Sequence, residues 1–142
     1  MSVINKKLAE LLGLHIERVH GPGPQHRLRD PRHGGTWPLR FSAKEAWDKD
    51  CPRYDRDACA LLREWFWVMN DKRWISGPVV SAVCFDYRDN GCGEYFANIW
   101  GNTSRGFTDG TGRTGRTELE ARINCLVSVL EMLNDKFPEV KP

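Results

Sequence analysis

The sequence predicts an α+β fold: an antiparallel sheet of about four to five strands with helices packed on it as a layered sandwich, ending in a long C-terminal helix. Three observations carry this. Elements read off the periodicity follow the order α-β-β-β-α-α-β-β-α, which favours antiparallel pairing over a βαβ repeat. A strand-like run ends at Arg88-Asp89-Asn90-Gly91-Cys92-Gly93, where Asn-Gly supplies the positive φ of a hairpin. The last third carries the strongest helical periodicity in the chain.

Residues 2–12 read as a helix, with Ser2 as cap, Ile4, Leu8, Leu11 and Leu12 on one face, and Gly13 at C′. Residues 14–20 alternate imperfectly and fit a short strand. After Gly21-Pro22-Gly23-Pro24, residues 27–29 and 36–41 read as edge strands, since Pro38 keeps the second from a central position. Ser42 and Glu45 form a capping box for a helix over 43–48. Asp55 is expected to cap a helix over 56–69. Residues 79–87 are apolar on both faces, which predicts a central strand, and the return strand covers 94–101. Thr114 or Thr117 caps the last helix, which runs to about Phe137. Its main stripe is Leu119, Ile123, Leu126, Val127, Leu130 and Leu133. Ala121, Cys125, Val129 and Met132 form a second stripe, which calls for burial from two sides by a neighbouring helix or by a second copy of the chain.

Length and composition fit one globular domain over residues 1–142, with 40% apolar and 28% charged residues and enough chain to bury a core. A net charge of +2 argues against general nucleic-acid coating. The five cysteines are odd in number and lack Cys-x-x-Cys spacing, and Cys84 and Cys125 read as small core hydrophobes. Nothing resembles a signal peptide, and no apolar run approaches the roughly 20 residues of a membrane span. A reduced, cytoplasmic protein is expected.

The chemistry concentrates in residues 105–119, R-G-F-T-D-G-T-G-R-T-G-R-T-E-L. Gly-rich backbone leading into a helix N-terminus presents free N–H groups and a partial positive charge, which suits an anion. Arg105, Arg113, Arg116 and Arg122 add guanidinium donors, Thr114 and Thr117 add hydroxyls, and Gly115 offers close backbone approach. The stretch is no P-loop and, without a βαβ unit, no dinucleotide fingerprint. A solvent-exposed hairpin extension is the alternative. On the preceding strand Phe96, Asn98 and Trp100 share one face, where a purine can stack while Asn reads its edge; core packing is the competing fate of that face. The four histidines lack zinc spacing, so no metal site is expected. No catalytic motif is present, and no cofactor or catalytic residue is assigned.

The segments L-A-E-L-L-G-L-H-I-E-R-V, R-L-R-D-P, E-A-W-D-K-D-C-P-R-Y-D-R-D-A-C-A-L-L and T-E-L-E-A-R-I-N-C-L-V-S-V-L-E, with the pattern Pro52, Tyr54, Asp57, Cys59-Ala60, resemble the phage αβα ("ABA") sandwich domain family. The resemblance implies phage or prophage origin, a layered fold and an accessory role in the host bacterial cell; it carries no defined activity. Small phage proteins without catalytic motifs often act by binding, and nucleotide sponges that sequester host immune signals are a functional analogy. The leading expectation is therefore a non-enzymatic, homo-oligomeric protein that sequesters a nucleotide-type ligand. A protein–protein inhibitor of a host defence protein, anti-CRISPR-like and using exposed Trp37, Trp47, Trp67 and Trp74, is the alternative. A small enzyme acting on a phosphorylated ligand is the third.

Overall fold

The computed structural model describes residues 2–75, 79–87, 93–110 and 113–140. The fold is α+β: the described residues form four α-helices and two antiparallel sheets, in two compact units, Met1–Pro52 and Arg53–Lys141.

In the first unit, helix α1 (Val3–Leu11) starts where the Ser2 hydroxyl accepts from the Asn5 backbone N–H at 3.3 Å. Gly13, at φ +102°, turns the chain out of it. Strands β1 (His15–Arg18) and β2 (His26–Arg29) pair antiparallel, His15 opposite Arg29 and Arg18 opposite His26. The strand expected over 36–41 does not form. It is reduced to the isolated bridges Arg29↔Thr36 and His26↔Arg40, because Pro38 between them cannot donate to a ladder. Helix α2 (Ala43–Asp50) has the expected Ser42 cap, accepting from the Glu45 N–H at 3.1 Å. The Glu45 carboxylate reaches back to the N–H of Phe41 rather than Ser42, so the capping box is displaced by one residue. Leu8, Leu12, Leu14, Leu28, Ala46 and Trp47 are buried.

Glu17 and Asp30 are among the carboxylates of this unit that titrate low. Hydrogen bonds from Arg27 and Arg29, each at 3.0 Å, hold Glu17 down to about 2. Burial pushes the Asp30 carboxyl up, but the side-chain and backbone donors of Arg32 outweigh it and leave it below its ordinary value. A carboxylate lowered by folding adds stability that is complete above its unfolded value and is lost as pH falls through its folded value. Urea midpoints should therefore be insensitive to these two groups above about pH 5 and fall between about pH 4 and 2. Glu17→Gln should make that fall shallower; an unchanged acid limb in the variant would contradict the assignment.

In the second unit, helix α3 (Ala58–Met69) is capped by Asp57, whose carboxylate accepts from the N–H groups of Cys59 and Ala60 at 3.0 and 3.2 Å. The expected cap, Asp55, lies two residues too early, because the N–H groups of Arg56 and Asp57 both bond to the Arg53 carbonyl in a preceding turn. Strand β3 (Val80–Tyr87) pairs with β4 (Gly93–Thr103), Val80 opposite Trp100 and Tyr87 opposite Gly93. The Asn90-Gly91 turn assigned from the sequence lies outside the described residues.

Two assignments are corrected here. Among the described residues strand β3 lies at the edge of its sheet, and β4 is the central one. The Gly/Thr/Arg stretch is part of the sheet: β5 (Gly106–Asp109) and β6 (Arg113–Gly115) both pair antiparallel with β4. Trp100 opposes Asp109 and Ala97 opposes Arg113.

Helix α4 (Glu118–Lys136) begins at Thr117, whose hydroxyl accepts from the Glu120 N–H at 3.1 Å. It packs on β4, β5 and β6, and also against α3. Ala121, Ile123, Cys125, Leu126, Val129, Leu130 and Leu133 are all buried. The second stripe lies on the sheet, with Ala121 against Gly115, Cys125 beside the Ile99 backbone and Val129 against Gly110, so the sheet and α3 together supply the two surfaces that cover the helix. Arg73 clamps the end of α3 to α4 by pairing with Asp71 at 2.7 Å and donating to Asn134 at 2.6 Å. Cys125 is a core residue whose thiol burial pushes up to about 12. Cys84 is not: it is exposed on the edge strand. Two of the tryptophans expected at the surface, Trp47 and Trp74, are buried, whereas Trp67 is 43% exposed.

Candidate functional site

Alternation along β4 sends Ala97 and Ile99 into the core, both fully buried, and Phe96, Asn98 and Trp100 to the opposite face, all three half-buried. The antiparallel register sets Cys84 and Thr114 on either side of Phe96, Ala82 beside Asn98, and Val80 and Asp109 on either side of Trp100. Ala82, Cys84 and Thr114 are exposed. The neighbours of the two rings are thus mostly small, and the face opposite α4 is a shallow aromatic platform. Phe107, opposite Asn102 and 56% exposed, extends it. The side-chain oxygen of Asn98 is enclosed and has no hydrogen-bond partner among the described residues. Two rings four residues apart on one strand are separated by about 13 Å. That spacing suits two planar groups, each on its own ring, and does not suit one group clamped between them.

The expected arginine cluster does not assemble on this platform. Arg105 lies against the C-terminal end of α4, stacked 4.8 Å over the Phe137 ring, paired with Glu139 at 2.8 Å and donating to the Lys136 carbonyl. Arg122 sits 4.6 Å over the Trp65 ring and pairs with Glu118 at 3.0 Å, its side chain only 15% exposed; its role is to hold α4 against α3. Arg113 shares the face of Ala97, so it points to the α4 side and donates to the Ser128 hydroxyl at 3.3 Å. Gly115 is buried against the first turn of α4, and the Thr117 hydroxyl is committed to its cap. Thr114 and Arg116 remain exposed at the border of the platform. Glu118 and Glu120 in the first turn of α4 offset the positive end of its dipole.

A second feature was not singled out from the sequence. Arg113, Thr114, Asn124, Val127, Ser128 and Glu131 line a shallow polar groove of about 370 Å³, with Asn124 donating to the Thr114 carbonyl at 3.0 Å. The signal for it is legible in retrospect: Asn124, Ser128 and Glu131 fall at i, i+4 and i+7 on α4, a polar stripe between the two apolar ones.

Among the described residues, no group of three or more His, Cys, Asp or Glu side chains is placed to hold a metal ion, and no helix is long and apolar enough to cross a membrane. No family model matches the chain, and no curated protein and no solved structure matches it either.

Proposed function

We propose that this is a non-enzymatic binding protein that sequesters a nucleotide-type ligand on the open face of its sheet, acting as a phage or prophage accessory protein in the bacterial cytoplasm. The observation that supports it is the platform itself: Phe96 and Trp100 flanking Asn98 on a face that α4 does not cover, beside the small residues Ala82 and Cys84 of β3. A folded domain ordinarily buries or interrupts such rings, and aromatic residues on an open sheet face are a recurrent way to stack bases. The ring spacing favours a ligand with two bases over a mononucleotide. Thr114 and Arg116 are the donors available to its phosphates, while Arg113 would act only from the opposite side of the sheet.

The test is calorimetry with linear and cyclic mono- and dinucleotides. A two-base ligand should bind more tightly than its mononucleotide. Phe96→Ala and Trp100→Ala should each weaken binding about 10- to 100-fold, the worth of about 1–3 kcal/mol per stacked base. Arg122→Ala should leave affinity unchanged, because that guanidinium is already stacked on Trp65. The ligand should be recovered chemically intact after denaturation, which separates sequestration from turnover. Absence of binding across the panel would sink the proposal.

One observation favours a second reading, inhibition of a host defence protein: Phe66 and Trp67 are 60% and 43% exposed side by side on α3. Large adjacent aromatics are the usual anchors of an interface. Retention of a host protein by the wild type but not by Phe66→Ser with Trp67→Ser, without nucleotide binding, would support this reading over the first.

A further inference from the structure

At the hairpin end of the sheet the open face carries a third ring. Trp100 opposes Asp109 and Asn102 opposes Phe107, with Thr103 opposite Gly106 beside the turn. Gly101 and Thr108, the pair between them, are buried on the α4 side. Trp100, Asn102, Phe107 and Asp109 therefore share the platform face. They form a square with two kinds of diagonal: Trp100 and Phe107 are aromatic, Asn102 and Asp109 polar. Diagonal neighbours on adjacent strands lie about 7–8 Å apart. Stacked bases rise about 3.4 Å per step, so that separation is two stacking distances and admits one base between the rings. Among the described residues Trp100 and Phe107 make no ring contact with each other, and Phe107 is 56% exposed. The backbone beneath Phe107 is held from below. Lys136 Nζ donates to its carbonyl and to the Thr108 hydroxyl, both at 2.8 Å, and Thr103 Oγ1 donates to the Gly106 carbonyl at 2.8 Å. Arg105, in the turn, is tied to Glu139 beyond the end of α4. The strand that carries the ring is thus fixed before any ligand arrives.

We infer that Trp100 and Phe107 clamp one base between them. Phe107 is then a binding residue, and the platform has two unequal subsites: a two-sided clamp at Trp100 and a single ring at Phe96. The inference rests on the sequestration reading above and specifies it. A planar base suits the slot better than an aliphatic side chain. It presents a flat face to each ring, and its polar edges meet Asn102 and Asp109 at the remaining corners, to which a hydrocarbon offers nothing. A mononucleotide should therefore enter the clamp in preference to Phe96. A two-base ligand should set one base in the clamp and the other on Phe96, about 13 Å along β4.

Calorimetry of the full chain with adenosine and guanosine 5′-monophosphates is the test. Phe107→Ala and Trp100→Ala should each weaken mononucleotide binding about 10- to 100-fold, while Phe96→Ala leaves it unchanged. Phe107→Leu keeps apolar bulk without a ring and should fail as the alanine variant does; Phe107→Tyr should bind as the wild type does. Phe107 is exposed, so its three variants should melt with the wild type. Mononucleotide binding that needs Trp100 but not Phe107 overturns the clamp and leaves sequestration standing. So does equal dependence on Phe96 and Phe107, and so does a wild type that binds dinucleotides but no mononucleotide. A wild type that binds no nucleotide of either length overturns both readings. If the Phe107 variants do not fold, transferred nuclear Overhauser contacts from the base protons to the wild-type rings decide. Contacts to both Trp100 and Phe107 are expected, and contacts to Trp100 alone overturn the inference.

Discussion

Gly115→Val should destabilise the second unit by about 3 kcal/mol or more, and Gly115→Ala by about 1–3 kcal/mol. Gly115 ends β6 on the face turned toward α4, and the helix starts three residues later. A Cβ there would lie 2.5 Å from the Ala121 backbone nitrogen and 2.9 Å from the Glu120 carbonyl carbon. Those atoms belong to the first turn of α4, which Thr117 caps and the sheet holds in place, so no side chain can rotate to make room. Relief requires lifting the helix from β4 and β6 and opening the core around Ala121 and Cys125. Thermal unfolding should register the alanine variant as a drop of about 10 °C. Gly34→Ala is the control: open space surrounds that position, and the change should stay within about 0.5 kcal/mol. A Gly115→Ala protein of unchanged stability would remove the packing explanation and restore close approach of a ligand as the reason for the glycine.

That reassignment shows where the sequence is informative and where it is not. Local signals are legible one residue at a time. Ser2, Ser42 and Thr117 cap their helices as their positions predict, and Gly13 takes the positive φ that ends α1. The alternation of β4 correctly separates Ala97 and Ile99 from Phe96, Asn98 and Trp100. What fails is whatever depends on a partner far along the chain. R-G-F-T-D-G-T-G-R-T-G has the composition of a loop, yet β4 is long enough to pair with both of its halves, and the ladder overrides weak local propensity. The two stripes of α4 say that two surfaces cover it, but periodicity alone cannot distinguish α3 from another molecule. Arg105 and Arg122 look like parts of one anion site because they flank the same stretch. The antiparallel turn between β4 and β5 instead carries Arg105 to Phe137, while the helix carries Arg122 to Trp65. Charge type is readable from sequence; convergence of charges is a property of the ladder register.

In the first unit the largest single loss should come from Asp30→Ala. After β2 the chain turns through residues 30–35 before bridging back from Thr36 to Arg29, and Asp30 organises that turn. One of its carboxylate oxygens accepts from both the backbone N–H and the Nε of Arg32 at 3.0 Å, and the other accepts from the guanidinium at 2.8 Å. The pair is well shielded, with side-chain exposures of 4% and 8%. Removing the carboxylate takes the adjacent negative charge and two hydrogen bonds from the Arg32 guanidinium in a site that solvent barely reaches, and it frees the backbone of the turn. Losing one partner of a buried pair costs about 3–5 kcal/mol. The exposed loop around Gly34 lets Arg32 swing partly outward, so about 2–4 kcal/mol is expected. Arg32→Ala should cost less than Asp30→Ala, because the backbone N–H of residue 32 still reaches the carboxylate. The double variant should cost clearly less than the sum of the two, since both changes remove the same ion pair. Urea unfolding of the four proteins at neutral pH gives the coupling directly. Additive losses would mean that the two side chains act independently, and that the turn, rather than the ion pair, is what Asp30 supports.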